Sequence, residues 1–294
     1  MRLHHVAKNA ENDLSTMDKG EIEKLHQVLL IILDDMLSVC KDNSLDFALI
    51  GGTAIGALRH KGFIPWDDDI DIAMPRADFE MFCDIINSEL LEKYSILHPQ
   101  EKHNFGRVIP KIRLKGTEYR TILEQDLDDC GIFIDIYIIE NIFDNPILMY
   151  FQGVMCIFLG FILSCTRLYF RKKELEKLTN GMSFKIKGII GKIFSFATLD
   201  QWARWTDYWH SFCKDSDTKR ISIPADGKHY FGGIQLRKDF CNFYECVFEG
   251  RKCYLPGNYD SYLRGYYNDY MQIPPVEKRQ RNQYIAYDLG KYKQ

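Results

Sequence analysis

Residues 49–80 read LIGGTAIGALRHKGFIPWDDDIDIAMPRADFE, with four aspartates, Asp67, Asp68, Asp69 and Asp71, in five positions after a Gly-Gly pair. Alternation of acid and apolar side chains over DIDIAM predicts a strand. Residues two apart on a strand share a face, their Cα atoms about 6.6 Å apart. Asp69 and Asp71 then project together while Ile70 and Ile72 enter the core. Like charges about 4 Å apart repel by ~4 kcal/mol at an effective dielectric near 20. A fold keeps such a pair only if protons or cations neutralise it. Hard divalent cations, Mg²⁺ (or Mn²⁺), take oxygen ligands and are shared with substrate phosphates. The bland alternative is a solvated acidic loop, which the alternating apolar strand and preceding glycines disfavour.

Working outward, Gly51 and Gly52 follow the strand-like LDFALI and precede a short helix, TAIGALRH. Glycine permits positive φ and close approach to a ligand. A helix N-terminus opening at Thr53 offers free N–H groups to phosphate. A third carboxylate, Asp135, stands among apolar residues in GIFIDIYII. Alone it would be an ordinary hydrogen-bonded core aspartate; beside an Asp-x-Asp strand it completes a three-carboxylate cage for in-line displacement at phosphorus.

The flanks supply further candidates. Arg59, His60 and Lys61 end the short helix, either as favourable C-terminal charge or as phosphate neutralisers. Lys111 and Arg113 alternate on VIPKIRLK and face one side, as solvated strand charges or as part of a cleft. Asp67 and Asp68 belong to the entry turn, where Asp67 can orient a loop or ligand. Trp66 reads as core filling. The Tyr-rich YDSYLRGYYNDYM reads as packing, or as a cage for a quaternary ammonium.

Bulk properties are those of a globular protein: 294 residues, 46% hydrophobic, 27% charged, formal net charge −3. That charge provides no global field for nucleic acid, which is not an expected partner. Nine cysteines without a Cys-x-x-Cys pair point to reduced thiols and a cytoplasmic setting. The stretch MRLHHVAKNAENDLSTMDKG lacks the apolar core of a signal peptide. Apolar spacing from Ile22 to Cys40 predicts a one-faced helix over 19–41, Pro75 a strand end and helix start, and YSILH, VIPKIRLK and IFIDIYII further strands. The fold class is therefore α/β, a mixed sheet flanked by helices.

The motif GGTAIGALRHKGFIPWDDDIDIAMPRADFE resembles the signature of the LicD family, phosphotransferases of the nucleotidyltransferase fold that also includes fukutin-type enzymes. The likeness continues through VIPKIRLKGT, GIFIDIYII, VFEGRKCYLPGNYDSYL and YYNDYMQIPP, over roughly residues 20–276. At Tyr267-Asn268-Asp269-Tyr270 the family pattern would have glycine second, a departure that concerns local loop geometry. The resemblance implies transfer of phosphocholine or a polyol phosphate from a CDP-activated alcohol to a hydroxyl of a glycan or lipid-linked glycan, such as lipopolysaccharide, teichoic acid or a capsule precursor. It also implies metal at Asp69, Asp71 and Asp135, and nucleotide phosphates at Gly51 and Gly52, with Thr53 beside them. The alternatives are an NTP-dependent nucleotidyltransferase releasing pyrophosphate, and a non-catalytic membrane-bound glycan-binding scaffold.

Domain organisation is expected as a tail (1–18), a nucleotidyltransferase-like core (19–144), an apolar and basic helical insertion (145–215) and a C-terminal part completing the core (216–294). Residues 145–166 carry no charge over 22 positions, long enough to span a bilayer. One crossing would put the two halves of the core on opposite sides. A lysine-bearing helix over 184–198 and the basic residues after the apolar stretch instead suggest peripheral attachment to the inner face of the cell membrane.

Overall fold

A computed structural model describes residues 17–121, 124, 127–172, 181–279 and 284–293. Helix α1 (Lys19–Asp42) starts at a capping box, in which Asp18 accepts from the Glu21 N–H and Glu21 accepts from the Asp18 N–H. Two otherwise orphaned donors are thus satisfied. The apolar stripe read from the sequence is buried, with Ile22, Leu25, Leu29, Ile32, Leu33 and Met36 facing the sheet.

β1 (Ala48–Leu49) is shorter than LDFALI suggested, and α2 (Gly51–Arg59) begins on the glycine pair itself. Gly51 at φ +57° makes the turn and opens the helix in one step. β2 (Asp71–Pro75) leads directly into α3 (Arg76–Glu89), with Pro75 as N-cap. Asp69 lies just ahead of β2 rather than inside it. The expected alternation survives, since Ile70 and Ile72 are buried and Asp69 and Asp71 are partly exposed.

β3 (Tyr94–Leu97), β4 (Lys111–Leu114), β5 (Glu118–Thr121) and β6 (Ile132–Asn141) follow. The main sheet has the order β1-β2-β6-β4-β3, and β7 (Arg220–Ser222) joins the end of β6 and β8 (Gln235–Leu236). β2 and β6 are parallel; every other pairing in this sheet is antiparallel. β6 is central, and its long isoleucine-rich run reflects cover on both faces.

Between β6 and β7 lie α4 (Pro146–Phe170), α5 (Met182–Ile193) and α6 (Leu199–His210). α4 is long and apolar enough to cross a membrane, yet only 33% of its most apolar window is buried in the protein. Glu140 and Asn141, before α4, pair with Ser222 and Ile221 after α6. Chain entering and leaving the helices therefore meets in one sheet, which excludes α4 as a lone span. β9 (Tyr244–Phe248) and β10 (Arg251–Leu255) form a hairpin, helix α7 (Tyr259–Tyr267) follows, and β11 (Tyr284–Asp288) pairs with β5.

Candidate active site

Strand register assembles the acids. Asp71 on β2 stands directly opposite Asp135 on β6, which stands opposite Lys111 on β4. Neighbouring strands lie about 4.8 Å apart, so two carboxylates and an ammonium form one row across three strands. Lys111 Nζ lies 3.7 Å from Asp135 Oδ1 and 3.6 Å from Glu124 Oε1, and 3.1 Å from the centre of the Phe133 ring. Asp135 Oδ1 is buried without a hydrogen-bond partner. A buried carboxylate oxygen without a hydrogen bond is costly; the Lys111 ammonium at 3.7 Å offsets part of that cost, and a divalent cation would offset more.

The N-terminus of α2 closes this row on the β2 side. Ile50, its N-cap, contributes no side-chain hydrogen bond to the helix. A Cβ on Gly51 would lie 3.2 Å from Asp71 Oδ2 and 3.4 Å from the Tyr267 hydroxyl, and one on Gly52 only 2.6 Å from Asp67 Oδ2. The glycines are thus what lets the acids reach the helix end. Thr53 turns inward, its hydroxyl accepting from the Asp71 N–H at 2.9 Å, so it fixes the start of β2.

Among the described residues, the carboxylates that all lie within 4.8 Å of one another are those of Asp67, Asp68 and Asp69. This tight group shares only Asp69 with the trio expected from the sequence, Asp69, Asp71 and Asp135. Asp68 is buried and accepts from the Tyr119 hydroxyl at 2.9 Å. Asp67 is anchored through its backbone, its carbonyl 2.7 Å from His26 Nε2.

Electrostatics bear out the crowding. Burial pushes the Asp71 carboxyl well above the usual carboxylate range; Asp69, Asp135 and Asp67 add to that, and Arg107 opposes it. Asp71 and Asp135 also raise the Tyr137 hydroxyl, together with burial. Burial lowers Lys111, with Asp135 and Glu124 pulling the other way. Glu124 resists its own burial because Lys111 and Arg113 hold it down at about 2.

The basic candidates divide by position. Lys111 belongs to the row. Arg113 is buried, with Nη2 bound to Glu124 at 2.6 Å and Nη1 to the Asp129 carbonyl, so it braces Glu124. Neither is a solvated strand charge. Arg59 donates through Nη1 to the carbonyls of Tyr270 at 2.9 Å and Gln272 at 3.2 Å, and through Nε to His60. It thereby ties the C-terminal loop to α2. Lys61 is exposed at φ +60°, and its carbonyl accepts from the Glu249 N–H. Trp66 packs beside the core beneath the Arg279 guanidinium, 4.0 Å from the ring centre.

Three residues were not singled out by sequence. Arg107 faces Asp135 and Asp71, which hold its guanidinium charged against the effect of burial. It sits on irregular backbone ahead of β4, where no periodicity marks it. Tyr137 shares the Asp135 face two residues along β6. Tyr262, on α7, receives a hydrogen bond from the Gly51 backbone, and burial raises its hydroxyl. Its helix was visible as Tyr-rich; its contact with the glycine turn was not.

A mixed sheet with carboxylates at adjacent positions on two parallel strands, facing a glycine-opened helix, is the arrangement that a transferase of the nucleotidyltransferase class would use. Within that class the chain is similar to the LicD type. Residues 44–143 match the LicD/FKTN/FKRP nucleotidyltransferase domain, a range holding Gly51, Asp69, Asp71, Arg107 and Asp135. The chain is 28% identical over 274 residues to the lipopolysaccharide cholinephosphotransferase LicD of Haemophilus influenzae, covering 89% of this chain and 95% of that one. An uncharacterized protein of Rickettsia typhi is 32% identical over 82 residues, 28% of this chain and 25% of its own.

Proposed function

We propose that the protein transfers a phospho-alcohol, phosphocholine or a polyol phosphate, from a CDP-activated donor to a hydroxyl of a cell-surface glycan. The observation that carries this reading is the Asp71–Asp135 register pair, with a buried Asp135 oxygen that makes no hydrogen bond. Phosphocholine and lipopolysaccharide are the candidates that the name of the Haemophilus relative supports.

The donor set is all oxygen and strongly acidic, which fits a hard divalent cation such as Mg²⁺ (or Mn²⁺) better than a soft one. Asp71 and Asp135, with Asp69 next to them, would hold it. Bound there, it would neutralise the donor diphosphate and the charge that builds up during transfer. The α2 N-terminus presents backbone N–H groups to phosphate oxygens, and Arg107 adds a positive charge beside Asp135 and Asp71. In the transfer an acceptor hydroxyl oxygen forms a bond to the phosphorus bearing the alcohol. The bridging P–O bond breaks, and CMP leaves with its electron pair. Asp135, beside Asp71 in the register row, accepts the hydroxyl proton.

Incubating the protein with Mg²⁺, a glycan acceptor and a panel of CDP-activated alcohols tests the reading. CMP should be released with one alcohol, and chelation should stop it. Pyrophosphate released from an NTP, with no CMP from any CDP-alcohol, would favour the nucleotidyltransferase alternative.

A further inference from the structure

The helical insertion carries a feature that the transfer reaction does not use. On α5, Met182, Ile186, Ile189 and Ile193 are 74%, 50%, 63% and 66% exposed. They recur at the three- and four-residue intervals that put side chains on one helical face. The opposite face, with Phe184 and Gly191, is buried. A Cβ on Gly191 would come within 2.1 Å of the Cys165 carbonyl, so α5 is seated tightly on α4. The α5 apolar row is therefore the outward side of a well-packed helix.

α4 repeats the pattern. Ile147, Phe151, Val154, Phe158 and Phe161 are all exposed and all on one face, over about 21 Å of helix at 1.5 Å per residue. A soluble surface rarely leaves an apolar area of that extent uncovered.

Charge indicates what covers it. α4 and α5 contain no acidic residue, and carry Arg167, Lys185, Lys187 and Lys192, although the whole chain is net negative. Lys185 and Lys192 flank the exposed row of α5 on one side, where long stems can lie along apolar surface while the ammonium groups reach phosphate. Trp205 and Tyr208 of α6 are also exposed, residue types enriched at the membrane–water boundary.

We infer that the α4–α5 face lies in the interface of an anionic lipid bilayer, with its apolar rows among the acyl chains and its lysines at the headgroups. The β6–β7 pairing on either side of the insertion makes this a surface that rests on the bilayer rather than one that crosses it. The inference does not depend on the chemistry at Asp71 and Asp135.

Flotation of the full chain with vesicles tests it. The protein should rise with phosphatidylethanolamine–phosphatidylglycerol vesicles and remain below phosphatidylcholine vesicles. Lys185→Glu with Lys192→Glu should weaken partition to the anionic vesicles by at least about tenfold. Ile189→Asp with Ile193→Asp should abolish it; both sites are exposed, and thermal unfolding should be unchanged. CMP release with a soluble acceptor should be the same in all these variants, which separates this test from that of the transferase reading. Failure of the full chain to rise with anionic vesicles would overturn the inference. So would a lipid-free dimer that the isoleucine variants split, since the face would then belong to a second copy.

Discussion

Two charged groups five residues apart on β6 are treated in opposite ways. Glu140, near the end of the strand, faces Arg76, whose Nη2 contacts it and also Asp207 at 2.8 Å. One guanidinium there serves two buried carboxylates and joins α3, β6 and α6. Glu140 is pushed up to about 7 by burial against the pull of Arg76, whereas Arg76 is raised by the two acids despite burial. The forked contact with both carboxylates argues for the charged state. Asp135 instead meets another acid, Asp71, across the parallel register. Lys111 stands at 3.7 Å on its other side, and an Asp135 oxygen is left without a hydrogen bond. The first group is complete within the protein. The second sets two crowded acids beside Lys111 and still leaves a buried oxygen without a hydrogen bond, and that contrast locates the chemistry.

Substitutions should expose the difference. Arg76→Ala leaves Glu140 and Asp207 buried and unpaired, and should cost about 3–5 kcal/mol of stability; chemical denaturation measures it. Retained stability would mean that the Glu140 end is not a structural ion network.

The same network borders His210, which burial lowers to about 4, with Asp207 opposing. Its folded pKa lies below the ordinary 6.5, so its contribution to stability is full above that value and is lost as pH falls toward 4. Between pH 7 and pH 5 the loss should be roughly 2 kcal/mol, and His210→Gln should flatten the slope. An unchanged slope would remove His210 as its source.

The smallest effect concerns the loop beside the acids. Asn268 caps α7 at φ +55° and ψ −117°, a region that favours glycine. This is the position where the family pattern has glycine, and the departure leaves the turn standing. Asn268→Gly should gain about 0.5–1 kcal/mol, read as a small rise in melting temperature with transfer activity kept.

Much of the site could be read from the sequence because it rests on local patterns. The alternation around Asp69 and Asp71 and the glycine pair are readable in one dimension, and so is the apolar setting of Asp135. The resemblance to the LicD family rested on the same residues. The acidic turn was harder. A run of aspartates fixes no side-chain direction, and the mutual approach of Asp67, Asp68 and Asp69 emerges only with the fold. Arg107 and Tyr262 were hidden for a different reason. Each reaches the site from far along the chain, one from irregular backbone and one from a helix whose spacing records packing alone. Arg113 looked equivalent to Lys111 by period; both contact Glu124, and only the register of Lys111 with Asp135 separates their roles.

Calorimetric titration of Mg²⁺ into the purified protein, beside Asp71→Asn and Asp135→Asn, tests the central claim most directly. Binding should appear in the native protein and vanish in both variants, with Asp71→Asn at least as stable as the native protein in the metal-free state because a repelling charge has gone. Equal Mg²⁺ binding in all three proteins, or none in any, would contradict the account.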